Sequence, residues 1–231
     1  MSFIGKKSIS AGSRIASAAA TGGGGTATVS FTASAVSATD LTTYTFSSQS
    51  LGTEAADRKI VVVAKAGANF ADVSTLTVAG SSATLVKNQQ TTEESVDIWQ
   101  VALPTGTTGD IVVTWSAATQ FCGIGVYAVY GAAAAAHATA GSSSADPATA
   151  TIDCPAGGVI ISGVIHRSTA TTFTWTNLTE RYDALVENGI AYHSGASDAF
   201  ATTQTGLALT ASSAIAGSRP EVFAAASWGP A

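Results

Sequence analysis

Charged side chains are scarce in this chain: Lys, Arg, Asp and Glu together make up 11% of its 231 residues, where about a quarter is usual for a soluble domain. Ser, Thr, Ala and Gly take their place on the expected surface. Disorder requires low hydrophobicity together with high charge, and a hydrophobic fraction of 46% excludes that combination. The composition suits a chain whose surface is covered by neighbours, or one that works outside a cell. Ten basic residues against fifteen acidic ones leave a net charge of −5, so the basic footprint of a nucleic-acid binder is missing. Long apolar runs are missing too: none approaches the ~18 residues that span a bilayer. Neither nucleic acid nor membrane is an expected partner. Lys6, Lys7 and the small residues at 16–20 superficially resemble a secretion signal, but no apolar segment lies between them, so no cleaved signal is expected.

Cysteine is nearly absent. Cys122 and Cys154 would pair only in an oxidising compartment, and two buried free thiols are the expectation. A chain of this length buries enough surface on folding to need no covalent or metal staple.

What is present is a pattern that occurs twice, and self-similarity at a fixed offset takes precedence over other signals. Ile60-Val61-Val62-Val63 has a counterpart in Val159-Ile160-Ile161-Ser162, and Leu76-Thr77-Val78-Ala79-Gly80 in Phe173-Thr174-Trp175-Thr176-Asn177. Gly109 to Thr114 matches Gly206 to Thr210. Gly125-Val126-Tyr127-Ala128-Val129-Tyr130-Gly131 matches the closing stretch from Val222 to Gly229. Two β-rich halves built alike are expected.

Residues 1–27 read as an extended N-terminal arm, because Gly22-Gly23-Gly24-Gly25 cannot sustain a helix or strand. Residues 28–131 form the first half. Val29 and Phe31, then Tyr44 and Phe46, alternate with polar neighbours, whereas Ile60 to Ala64 is a continuous apolar run suited to a strand buried on both faces. Gly80-Ser81-Ser82 reads as a hairpin turn between Leu76-Thr77-Val78 and Ala83-Thr84-Leu85-Val86. Residues 132–147 are expected to be a linker with at most one helical turn, since Ala132 to Ala136 is too short to nucleate a helix. Residues 148–231 form the second half, with strands expected near 149–154, 158–166, 172–176, 180–186, 189–194, 206–211 and 221–228. Many short strands separated by Gly, Pro, Ser and Thr turns indicate a sandwich or barrel. The fold class is therefore all-β: an antiparallel jelly-roll-like β-sandwich with two similar halves. The halves could be two separate sandwiches, but the short linker and sparse large apolar residues favour one sandwich with a shared core over 28–231.

Chemistry is harder to find. His166 and His193 fall on strands, with Asp183 or Asp198 in reach of an acid/base or metal cluster, while His137 sits in the linker. An ordinary half-exposed histidine at a strand end is the simpler expectation. Gly195-Ala196-Ser197-Asp198-Ala199 misses the nucleophile-elbow pattern at its last glycine. Gly22 to Thr26 lacks the lysine of a phosphate loop, and no calcium-loop spacing occurs. Asn177-Leu178-Thr179 is a formal glycosylation site that matters only in a secretory pathway. Glu93, Glu94 and Asp97 read as a solvated acidic loop. Arg181, between Glu180 and Asp183, suits a local ion-pair network or half of a subunit contact. Trp99, Trp115, Trp175 and Trp228 could line a sugar platform, but aromatics on strands are core anchors first. No catalytic, cofactor-binding or metal-ligating set is assigned, and no cofactor is expected.

Some phrases carry a resemblance. Gly52-Thr53-Glu54-Ala55-Ala56-Asp57-Arg58 leads into Ile60-Val61-Val62-Val63, and Pro104-Thr105-Gly106-Thr107-Thr108 precedes a Val-rich strand. Cys122-Gly123-Ile124-Gly125-Val126-Tyr127, Leu178-Thr179-Glu180-Arg181-Tyr182-Asp183 and Ala225-Ala226-Ser227-Trp228 complete the set. Over residues 40–231 the chain resembles β-sandwich structural proteins of tailed bacteriophages and gene-transfer particles. The resemblance implies a non-enzymatic virion component, either a capsid decoration, a head fibre or spike, or a tail-associated subunit. It would be assembled in the host cytoplasm as a homo-oligomer against other virion proteins, capsid or tail subunits. The alternative is a carbohydrate-binding or adhesin module with a host glycan as partner.

Overall fold

The computed structural model describes residues 25–67, 71–144, 146–167, 172–187, 191–214 and 221–231. The arm expected over 1–27 lies outside these residues except for its last three. Among the described residues seventeen strands follow one another without an intervening helix: β1 Thr28–Ser37, β2 Leu41–Ser50, β3 Lys59–Gly67, β4 Val73–Val78, β5 Ser81–Ser82, β6 Thr84–Gln90, β7 Glu94–Ala102, β8 Thr108–Thr119 and β9 Phe121–Tyr130 in the first half. The second half has β10 Ala138–Ser144, β11 Ala148–Cys154, β12 Gly158–His166, β13 Phe173–Thr176, β14 Thr179–Glu187, β15 Ala191–Phe200, β16 Gln204–Ser213 and β17 Glu221–Trp228. All pairings are antiparallel.

Each half makes one inner and one outer sheet. The first half has the inner order β1-β9-β3-β7-β6 and the outer order β2-β8-β4-β5. The second half repeats this order, with β10-β17-β12-β15-β14 inside and β11-β16-β13 outside, without a counterpart of the two-residue β5. The turn after β4 has Gly80 at φ 79°, and its counterpart after β13 has Asn177 at φ 66°. Both residue types enter this left-handed region at low cost, which is why glycine and asparagine alternate there.

Side-chain alternation separates the layers. On the outer sheet Tyr44, Phe46, Ile111, Val113 and Trp115 point inward while their neighbours face solvent, as period two requires of a half-buried strand. The inner strands β3, β9, β12 and β17 are buried along almost their whole length. Their even residues and odd residues face different cores. In β3, Ile60, Val62 and Ala64 join Tyr44, Phe46 and Trp115 in the core of the first half, whereas Val61 and Val63 join Val159, Ile161 and Trp228 in a core between the two inner sheets. Ile160, Val164, Phe223 and Leu209 form the core of the second half. The molecule is thus a stack of four β layers. β3 lies across β12, β1 across β14, and β6 across β10.

This arrangement corrects two expectations. A single shared core is replaced by three cores, because both faces of each inner sheet are covered. Residues 132–147 are not merely a linker: β10 pairs along its length with β17, from Ala138↔Ser227 to Ser144↔Glu221, and no helical turn forms in the Ala run. Ser142 and Ser143 match Phe223 and Val222 in register, so a stretch too polar to read as a strand is recruited by its neighbour's backbone. The hairpin at Gly80 holds only through Ser82, after which the chain leaves β4 and pairs with β7 on the inner sheet.

Candidate functional site

The site most heavily built from polar groups lies inside the seam between the halves. Lys65, near the end of β3, is fully buried and faces the second half. Its Nζ donates to Tyr182 Oη at 2.5 Å and to Ser194 O at 2.8 Å, and lies 3.3 Å from His193 Nδ1. The same amine sits 4.7 Å from the centre of the Tyr182 ring, within cation–π range. Tyr182 stacks on Phe31 from β1 and meets the His193 ring edge-on. Ser194 Oγ accepts from Trp175 Nε1 at 2.8 Å and donates to Tyr182 O at 3.0 Å. Three strands from both halves thus meet at the amine, and β1 and β13 brace its partners through Phe31 and Trp175.

Glycine makes the approach possible. A Cβ at Gly125 would fall 2.2 Å from Tyr182 Oη, and one at Gly123 would fall 2.7 Å from His193. Both positions belong to β9, beside β3, and only the missing side chain lets the tyrosine and histidine seat there. Burial holds the Lys65 amine well below its ordinary range and His193 below the ordinary histidine range, the latter reinforced by the neighbouring amine. Burial also pushes the Tyr182 phenol up. This cluster is an internal polar joint sealed from solvent.

The candidate residues read from sequence fall apart spatially. His193 pairs with Ile165, so it points into the seam, and His166, the next residue on β12, points to the opposite face of that sheet. The two histidines cannot share a substrate. Asp183 Oδ2 accepts from the Phe173 amide at 2.9 Å on the outer side, and Asp198 binds the Thr179 amide at 2.7 Å near the far end of the strand. His137 is exposed, with its amide bonded to Ser227 O. Ser197 is buried in mid-strand, where its Oγ accepts from Arg181 Nε. Arg181 forms its ion pair with Asp198 within the chain, at 3.4 Å, rather than with its neighbours in sequence. Asn177 Nδ2 donates to Ala208 O at 2.8 Å. Among the described residues no group of three or more His, Cys, Asp or Glu side chains could hold a metal ion.

The cysteines lie in different cores, Cys122 in the first half and Cys154 in the second, as buried free thiols. Trp99, Trp115 and Trp228 are core residues, and Trp175 is half-buried against the core of the second half. The acidic group at 93–97 is no solvated loop: Glu94 and Asp97 are buried on β7. Asp97 accepts from Asn88 Nδ2 and Ser95 Oγ, each at 2.8 Å, yet burial pushes its carboxyl up to about 7. Between the usual aspartate range and pH 7 the folded chain therefore keeps a proton that the unfolded chain releases, and stability falls as pH rises through that window. Asp97→Asn should gain on the parent steadily as pH rises from 4 to 7, with the smallest difference at pH 4 and the largest at pH 8; urea midpoints at those two pH values measure the difference, and an equal difference at both would refute the assignment.

Among the described residues, two of the grooves that open to solvent stand out. One, of about 240 Å³, is lined by Lys59, Ser82, Thr84, Gln100, Val101, Ala102 and Ala134. Lys59 Nζ bonds to Ala133 O there, and burial lowers its amine to about 8. The other, of about 400 Å³, is lined by Gly25, Thr26, Ala156, Gly157, Ala201 and Pro230.

Sequence reasoning missed Lys65, Tyr182 and Arg58. A signal was available for the first: a lysine inside Val61-Val62-Val63-Ala64-Lys65-Ala66 interrupts a run that is buried on both faces, and buried lysine is rare without a partner. No protein-family model, curated protein or solved structure matches this chain.

Proposed function

We propose that this chain is a non-enzymatic structural protein of a phage-like particle, a capsid decoration or head-fibre/spike component that assembles through its N-terminal arm and its sandwich surfaces. The observation that carries this reading is the doubled strand order. With β5 and β6 counted as one strand that changes sheets, the eight strands of the first half run 1-8-3-6-5 on the inner sheet and 2-7-4-5 on the outer, the fifth lying mostly on the inner sheet. Apart from the placement of the fifth strand, this order supports a jelly-roll reading, an architecture used by viral capsid and lectin domains. The second half has the same order, except that its fifth strand, β14, lies wholly on the inner sheet. Fold by itself is weak evidence of function, and three features of this chain add to it. The polar cluster joins the halves, the surface is Ser/Thr/Ala-rich, and Gly25 and Thr26, the first described residues, line an open cleft.

The test has two parts. Density-gradient-purified particles from the source culture should contain the protein at a copy number that matches a capsid or tail symmetry. Deleting residues 1–24 should then abolish incorporation and leave the body folded. The deletion stops short of Ala27, which is buried and whose amide bonds to Gly157 O at 2.8 Å. Truncated protein that entered particles at normal occupancy would refute the role of the arm.

A second reading, a glycan-binding module, has the Lys59 groove in its favour, with Ser82, Thr84 and Gln100 offering hydroxyl and amide groups. No aromatic residue lines it, although stacking on aromatic faces is a usual source of sugar affinity. A glycan array without signal above background would remove this reading.

A further inference from the structure

We propose that the Lys65–Tyr182–His193 cluster is an acid-sensitive latch, which lets its end of the seam between the halves open at mildly acidic pH while each half keeps its own core. The argument begins with which groups face one another. Lys65 comes from β3, Tyr182 from β14, and His193 and Ser194 from β15; Tyr127 from β9 and Phe31 from β1 close the sides. Two basic groups thus touch inside a closed space, and the acceptors described for Lys65 are a phenol, a backbone carbonyl and the imidazole. The nearest acid, Asp183, has an oxygen committed to the Phe173 amide toward the outer sheet. Arg181, on the same strand as Tyr182, is engaged with Ser197 and Asp198. Glu94, buried on β7, lies on the Lys65 face two residues beyond Val96, the register partner of Lys65.

The amine has three acceptors around it, Tyr182 Oη, Ser194 O and His193 Nδ1. When the amine is an ammonium, with donors and no lone pair, that set requires His193 Nδ1 to carry no proton. A protonated imidazole would turn the acceptor into a donor aimed at another donor, with a second positive charge 3.3 Å away. The ring is fully buried and packs directly against Gly123 of β9, where a Cβ would fall 2.7 Å from it. The unfolded or opened chain accepts the proton freely, so acid favours opening. Each pH unit below the ordinary histidine range multiplies the opening constant about tenfold for one proton taken up. The cluster sits toward one end of the seam, at Gly67 of β3 and His166 of β12, so opening there leaves Val61, Val159 and Trp228 packed at the other end.

Hydrogen exchange of the full chain between pH 7.5 and 4.5, corrected for intrinsic rates, tests the latch. Peptides from β14 and β15 should lose protection about tenfold per pH unit below 6.5, while β8 and β16 keep theirs. His193→Asn, which retains an acceptor near the Nδ1 position and cannot titrate, should flatten that slope. Unchanged protection, an equal slope in the variant, or simultaneous loss in all strands would each overturn the proposal. If the variant does not fold, the His193 ring resonance in the parent decides: its titration must share a midpoint with the loss of protection, and titration without that loss overturns the latch.

Discussion

Replacing Arg58 with methionine should cost about 3–5 kcal/mol of folding stability, the range seen when one side of a buried charged network is removed. Arg58 is 1% exposed, yet among the described residues no carboxylate pairs with it. Its five N–H groups are instead met by backbone carbonyls. Nε donates to Leu103 O at 2.7 Å, one terminal nitrogen to Leu51 O and Gly52 O at 3.1 Å each, and the other to Thr105 O at 2.9 Å and Gly106 O at 2.7 Å. The guanidinium ties the β2–β3 connection to the β7–β8 connection, and Glu54 adds a further bond to the Gly106 amide. Methionine fills similar volume but leaves these carbonyls without donors, each costing about 1–3 kcal/mol where water cannot reach it. Arg58→Lys keeps the charge with three donors on a compact ammonium and should fall between parent and methionine. Urea unfolding of the three proteins measures the series. A methionine variant within 1 kcal/mol of the parent would show that the loops satisfy themselves.

Trp228→Ala should be comparably damaging, about 3–5 kcal/mol, as for other large-to-small changes in a core. Trp228 is fully buried between the inner sheets, and its Nε1 donates to Gln100 Oε1 at 2.8 Å across the two halves. Truncation leaves a cavity in the seam and strands that amide oxygen. Trp228→Phe should recover most of the packing and lose the hydrogen bond. Trp175→Ala, at a half-buried tryptophan on an edge strand, should cost clearly less than Trp228→Ala. Equal losses at the two sites would argue against a seam that couples the halves.

Much of the strand layout was legible from residues alone. The expected strand at 158–166 coincides with β12, and those expected near 172–176, 180–186 and 221–228 match β13, β14 and β17 within about a residue. Gly, Pro and Ser/Thr turns punctuate these segments, and local turn chemistry acts over a few residues. β10 escaped because Ala-Thr-Ala-Gly-Ser-Ser-Ser has no apolar alternation; its pairing with β17 supplies what its own side chains do not. The site was less legible than the fold. His193 was noticed, but its partner was sought in His166 and the aspartates, whereas the contact is with Lys65, 128 residues away. Asp97 and Glu94 were read as solvated because acids next to a Thr-rich turn ordinarily are; their burial follows from β7 lying inside the inner sheet.

The residues alone determined that this chain is all-strand, doubled, and low in exposed charge, because period-two alternation, turn residues and composition are local quantities. Tertiary structure alone decided how many cores form. A run such as Ile60 to Ala64 announces that both faces of a strand are covered, but says nothing about what covers each. Only packing the two inner sheets against each other sends Val61 and Val63 to the seam and Ile60 and Val62 to the first half. The same packing brings Lys65, Tyr182 and His193 into one buried joint, a contact between distant strands that no local pattern encodes.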